Sequence, residues 1–87
     1  MKLIEKEIVI KNKQGLHARP AALFVQLANK FDSTISIKRQ SQEVNGKSIM
    51  GILLLAAEKG SRITLIADGS DAPEAIEQLA RLLEKDG

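Results

Sequence analysis

The 87 residues contain no cysteine, no tryptophan and no tyrosine, and only one histidine. Without cysteine there is no disulfide, no thiolate nucleophile and no sulfur-bound zinc. One histidine excludes a multi-histidine metal centre, so neither a metal nor a cofactor is expected. Two phenylalanines are the only aromatic residues, which leaves almost nothing to stack on exposed bases. Long apolar runs are missing too. Ile49–Ala57 is the longest, it includes Gly51, and it falls far short of the roughly 20 residues that span a bilayer. Glu5 and Glu7 stand where a signal peptide would be apolar. A cytoplasmic protein with no membrane insertion is the expectation.

What remains is an ordinary globular composition, 44% hydrophobic. A chain of this length buries only roughly 60–65% of the surface it exposes when unfolded. A thin, two-layer domain follows, with its chemistry on the surface rather than in a large cavity. Thirteen basic and eleven acidic residues leave a net charge of +2. The charge is uneven: Met1–Ala67 carries 11 Lys/Arg against 5 Asp/Glu, and Asp68–Gly87 carries 2 against 6. A basic surface invites a nucleic-acid partner. The missing aromatics argue against one, and Lys2, Lys6, Lys11, Lys13, Lys30 and Lys38 read better as scattered solvating charges. No nucleic-acid partner is expected.

Residue periodicity sets the element order. Leu3–Lys11 alternates as a half-buried strand with Ile4, Ile8 and Ile10 on one side. Ala18–Lys30 switches to helical spacing through Ala21, Phe24, Val25 and Ala28. Thr34–Arg39 alternates again, and Gln42–Val44 is a short partner strand. Asn45-Gly46 marks a turn. Ser48–Ala57 reads as a short helix capped by Ser48 and closed by Lys59-Gly60. Arg62–Ala67 is a further strand. Asp71-x-x-Glu74 is a capping box for a last helix that presents Ile76, Leu79, Ala80 and Leu83 to the core. The order β-α-β-β-α-β-α implies an α+β fold of two layers, with helices on one face of a sheet.

The chemically informative segment is Gln14-Gly15-Leu16-His17-Ala18-Arg19-Pro20-Ala21-Ala22. Pro20 lacks an N–H and fits only a first helical turn, which pins the helix start close to His17. The free N–H groups of Ala18 and Arg19 then project beside the helix's positive pole, a ready anion site. Arg19 adds a planar, permanently charged fork suited to phosphate oxygens. The pole and Arg19 disfavour a further positive charge, so His17 is expected as a neutral, nucleophilic imidazole. No G-x-x-x-x-G-K-[ST] nucleotide cradle is present, so a phosphoryl group would come from one protein and leave to another. The plain alternative is that His17 is only a helix cap and Arg19 a solvated first-turn residue. In the second segment, Ser48 is most simply an N-cap. Ile49, Met50 and Leu53 belong either to the core or to an exposed docking patch.

The nonapeptide resembles the active-site motif of the HPr family, the histidine phosphocarriers of the bacterial phosphotransferase system. Val44-Asn45-Gly46-Lys47-Ser48-Ile49-Met50-Gly51 resembles that family's regulatory-serine segment at the expected distance, and the similarity covers essentially the whole chain. The resemblance implies a single HPr-like domain over residues 1–87. It also implies an open-faced sandwich: a four-stranded antiparallel sheet with three helices on one face. It implies that His17 takes a phosphoryl group on Nδ1 from enzyme I and passes it to enzyme IIA-type domains. Arg19 matches the family's phosphate-steadying arginine, and with the Ala18 and Arg19 N–H groups at the helix end it would hold the phosphate. Ser48 would be the site of an ATP-dependent HPr kinase/phosphorylase, and Ile49, Met50 and Leu53 would dock partners. Such a protein is a stoichiometric carrier rather than an enzyme, and a monomer is expected. Many sugar-system relatives carry a serine near Leu54 and a glycine near Ala56. Leu54 and the Ala56-Ala57 pair here look more like proteobacterial carriers, some of the nitrogen-related branch, so both branches stay open. Two other classes compete with the carrier: a regulatory module switched at Ser48, and an RNA-binding α+β domain that lacks stacking aromatics.

Overall fold

The computed structural model describes residues 3–85. Its elements are β1 (Leu3–Val9), α1 (Ala18–Ala28), β2 (Thr34–Arg39), β3 (Gln42–Asn45), α2 (Ile49–Leu55), β4 (Arg62–Asp68) and α3 (Ala72–Glu84). The strands form one antiparallel sheet in the order β1-β4-β2-β3. The last strand to emerge therefore fills the middle. It pairs Ile8 with Ile63 on one side and Ile37 with Leu65 on the other, while Ala67 faces both Ile4 and Ile35. Because side chains alternate along a strand, these residues share one face. The other face carries Glu5, Glu7, Lys38, Arg62 and Thr64 and forms an open polar surface.

The apolar face is covered by helices. α3 packs on β1, β4 and α1, and α2 packs on α1 and β3. Ala21, Phe24, Val25 and Ala28 of α1 are buried, as are Ala75, Ile76, Leu79, Ala80 and Leu83 of α3. These are the positions the 3.6-residue period selects. At 20 Å across its thinnest direction the molecule holds one sheet and one helical layer. The expected α+β sandwich and element order are what the structure contains.

Several expected boundaries shift. β1 ends at Val9 rather than Lys11, and β3 extends to Asn45. α1 ends at Ala28 rather than Lys30, because Lys30 and Phe31 donate to the Leu27 and Ala28 carbonyls three residues back, which tightens and stops the helix. α2 ends at Leu55 rather than Ala57, and Lys59-Gly60 does not close it. Ala56 turns left-handed with φ 51° and donates to the Leu53 carbonyl, a helix-terminating geometry usually left to glycine. Gly60 instead joins β1 to the approach of β4, donating to the Ile10 carbonyl at 2.8 Å.

The expected capping box at α3 does not form. Asp71 is the N-cap residue, but its carboxylate makes no bond to its own helix. It accepts instead from the Asp32 N–H at 2.9 Å, the Ser33 N–H at 3.0 Å and the Ser33 hydroxyl. Ser33 is buried, and its donors have no water to turn to. Three converging donors outcompete the helix's own N–H groups, and α3 becomes tied to the α1–β2 loop. The Ser33 hydroxyl, followed by the Asp32 N–H, holds the Asp71 carboxyl below its ordinary value of 3.8, against an opposing push from partial burial.

That shift has a definite sign. The folded state binds this proton more weakly than the unfolded chain, so the contribution is fully present above the unfolded value. It is lost as pH falls from there through the folded value. Wild type is expected to melt above Asp71→Asn by a margin that is constant above about pH 5 and shrinks below the ordinary aspartate range. Thermal melts of both proteins across pH check this. A margin that persists unchanged into strong acid would count against the tie.

Candidate functional site

The loop before α1 is built by short main-chain contacts. Asn12 accepts the Gln14 N–H on its Oδ1 at 2.8 Å and the Gly15 N–H on its carbonyl at 3.0 Å. Gly15 then takes φ +63°, and a Cβ there would come within 2.5 Å of the Ala57 carbonyl oxygen. Only glycine fits both demands. Leu16 is buried, and its N–H donates to that same Ala57 carbonyl at 2.8 Å. The loop is thus held against the segment that follows α2.

His17 comes next and is exposed. As the N-cap of α1 it has extended backbone, and its carbonyl accepts the Ala21 N–H at 2.9 Å. Its side chain makes no capping bond. Pro20 is buried in the first turn and has no N–H to satisfy. The Ala18 and Arg19 N–H groups find no partner among the described residues, at the end of the helix where the dipole favours an anion. Arg19 is exposed and belongs to no ion pair among the described residues. An imidazole, two unpartnered N–H groups and a free guanidinium therefore share one helix start. Such a set can receive a phosphoryl group on nitrogen and hold its oxygens.

The second segment forms the start of α2. Asn45 Oδ1 accepts the Lys47 N–H, and the Lys47 ammonium donates to the Phe31 carbonyl, both at 2.8 Å. Ser48 is the N-cap, as its position in the sequence suggested, and its hydroxyl accepts the Gly51 N–H at 3.1 Å. Ile52 and Leu55 are buried, while Leu53 is half-buried against the core. Ile49 is exposed, and Met50 and Leu54 are exposed by 67% and 66%. Of the three residues expected to dock partners, Leu53 therefore offers the least surface. Leu54 offers more, because its i, i+4 spacing from Met50 places both on one exposed stripe. Leu23 on α1 is a further exposed apolar side chain. Among the described residues, no three His, Asp or Glu side chains gather into a metal-binding group, and no helix is long and apolar enough to cross a membrane.

A family model described as the phosphorylation site of the phosphotransferase-system HPr component matches residues 4–85. The chain belongs to the HPr family of phosphocarriers. It is 52% identical over 84 residues to the HPr-like protein Crh of Halalkalibacterium halodurans, covering 97% of this chain and 100% of that one. The crystal structure of the phosphocarrier protein HPr from Bacillus anthracis superposes with a TM-score of 0.91 at 51% identity, over 93% of this chain and 96% of the other. The Bacillus subtilis protein Crh superposes with a TM-score of 0.79 at 44% identity over 97% of each chain, and its crystal structure is a swapped dimer. The HPr match thus spans the sheet, the His17 helix start and the Ser48 segment together.

Gly15→Ala is expected to destabilise the protein by about 1–2 kcal/mol from the left-handed backbone alone, with the clash against Ala57 adding to it. The thermal midpoint should fall by roughly 4–8 °C per kcal/mol in a domain of this size. In an amide spectrum the Leu16 and Ala57 signals should move first. An alanine variant with a wild-type melt would show that the loop does not need this approach.

Proposed function

We propose that the protein accepts a phosphoryl group from enzyme I on His17 and passes it to enzyme IIA-type domains, with no turnover of its own. The observation that carries this reading is the exposed, uncapped His17 side chain beside the unpartnered N–H groups of Ala18 and Arg19. A ring-nitrogen lone pair attacks the donor's phosphorus, the new N–P bond forms, and the donor's bond to phosphorus breaks. Negative charge on the phosphoryl oxygens is met by those N–H groups, by the positive pole of α1 and by the Arg19 fork. Transfer onward reverses these steps with a new acceptor. All the groups this requires come from one chain, so the reading works with a monomer in the cytoplasm and needs no bound cofactor.

Similarity to proteins named Crh and the position of Ser48 support a second, compatible role in regulation. A phosphate on Ser48, added by an ATP-dependent HPr kinase/phosphorylase, would stand at a helix start that favours negative charge by roughly 0.3–1 kcal/mol when exposed. It would also set a hydrated dianion beside Ile49 and Met50. Burying that charge against a partner's apolar surface without a matched cation costs several kcal/mol. Docking should weaken while α2 stays folded.

Incubation with enzyme I and phosphoenolpyruvate should place one acid-labile, base-stable phosphate on wild type and none on His17→Ala, whose fold should remain intact. Arg19→Lys should transfer more slowly, because a point charge cannot reproduce the planar fork. Phosphate of the same lability on His17→Ala would sink the assignment. Ser48→Asp should keep its thermal midpoint and lose transfer rate. An early melt would mark Ser48 as structural, and an unchanged rate would place it outside the docking surface.

A further inference from the structure

We infer that Arg39 is a positioning residue for His17, acting through the C-terminal end of α2. Arg39 is the last residue of β2, paired with Gln42 across the hairpin to β3. The residue is half-buried at the end of the sheet and belongs to no ion pair among the described residues. Instead Nη1 donates to the Leu55 carbonyl at 3.1 Å. Leu55 is the final residue of α2, whose last turn contains no basic residue of its own. The negative pole of this seven-residue helix is therefore met from outside by a charged donor, the kind of group that such an end favours.

The contact sits at a decisive point in the chain. Directly after Leu55, Ala56 holds a left-handed conformation that is unfavourable for any residue with a Cβ and persists where surroundings enforce it. One residue further on, the buried Ala57 presents the carbonyl that accepts the Leu16 N–H. Leu16 immediately precedes His17. The path from Arg39 to the imidazole therefore runs through one side-chain bond, two residues of backbone, one main-chain bond and one peptide unit. Without Arg39 the Leu55 carbonyl loses its charged donor, Ala56 loses a restraint, and the acceptor that anchors Leu16 is free to drift. The side-chain hydrogen bond of Arg39 goes to the Leu55 carbonyl, so its effect falls on the segment that sets where His17 stands.

This inference rests on His17 being the phosphoryl acceptor, and the test separates the two claims. Wild type, Arg39→Ala, Arg39→Lys and the control Arg62→Ala are compared in amide and imidazole NMR spectra, without phosphate. They are also compared in steady-state phosphorylation by enzyme I with phosphoenolpyruvate. Arg62 is a suitable control because its partner is Glu7, on the open face of the sheet. Arg39→Ala should move the Ala57 and Leu16 amides and the His17 ring signals. It should also lower kcat by roughly 2- to 30-fold, the range for changes that act on a site through packed neighbours, at an unchanged KM. Arg39→Lys, which keeps one cationic donor, should recover most of the rate, and Arg62→Ala should match wild type in both readouts. Unmoved Leu16 and His17 signals with a full rate would overturn the inference. So would shifts spread evenly over the sheet, or a rise in KM alone. Wild type that accepts no phosphate would defeat the functional reading, while the spectra would still decide whether Arg39 sets Leu16.

Discussion

The hydrogen bond from the Leu16 N–H to the Ala57 carbonyl is the contact on which the candidate site depends. It binds the loop before α1 to the segment after α2, two stretches some forty residues apart in sequence. Leu16 and Ala57 are both buried, so the bond is shielded from competing water and its loss would leave two desolvated groups unpaired. Leu16 is drawn inward, and the extended backbone of His17 points the next side chain to the opposite side, where it is exposed. The exposure of the imidazole thus goes with its neighbour's burial and the extended backbone between them.

Around that bond the molecule separates tasks along one short helix. The start of α2 carries Ser48 as a neutral cap, its flank carries the apolar stripe of Met50 and Leu54, and its end supports the loop of His17. Under the proposed reading, a charge at the start would act on docking, whereas a disturbance at the end would act on the imidazole. A seven-residue helix has little stability of its own. Its place is held by Ile52 and Leu55 in the core, by the Ser48 cap and by the Arg39 bond at its far end.

Much of this is legible in the residues themselves. Pro20 can occupy only the first turn of a helix, so the position of His17 at the helix start followed from covalent chemistry. The burial of Phe24, Ile76 and Leu79 followed from helical spacing, and that of Ile37 and Leu65 from strand alternation. Ser48 as a cap followed from its hydroxyl standing before a helical run. The motif around His17 and the segment around Ser48 pointed to the HPr family because their residues and separation coincide with its pattern.

Other features depended on atoms that are distant in sequence. Asp71 had the sequence signature of a capping box, yet Ser33 and Asp32, 38 and 39 residues away, took its carboxylate. A local motif cannot register donors that only the fold brings near. The end of α2 at a left-handed alanine is set by packing and by Arg39, both non-local, while propensity alone would carry Ala56 and Ala57 onward as helix. Leu53 and Leu54 are chemically identical, and only the tilt of α2 against the core decides which is exposed. The sequence by itself determined the elements, their apolar faces and the chemistry at the start of α1, because these depend on residue type and short spacing. The tertiary structure alone decided which loops meet, since burial brings together main-chain groups that every residue possesses and no residue type announces.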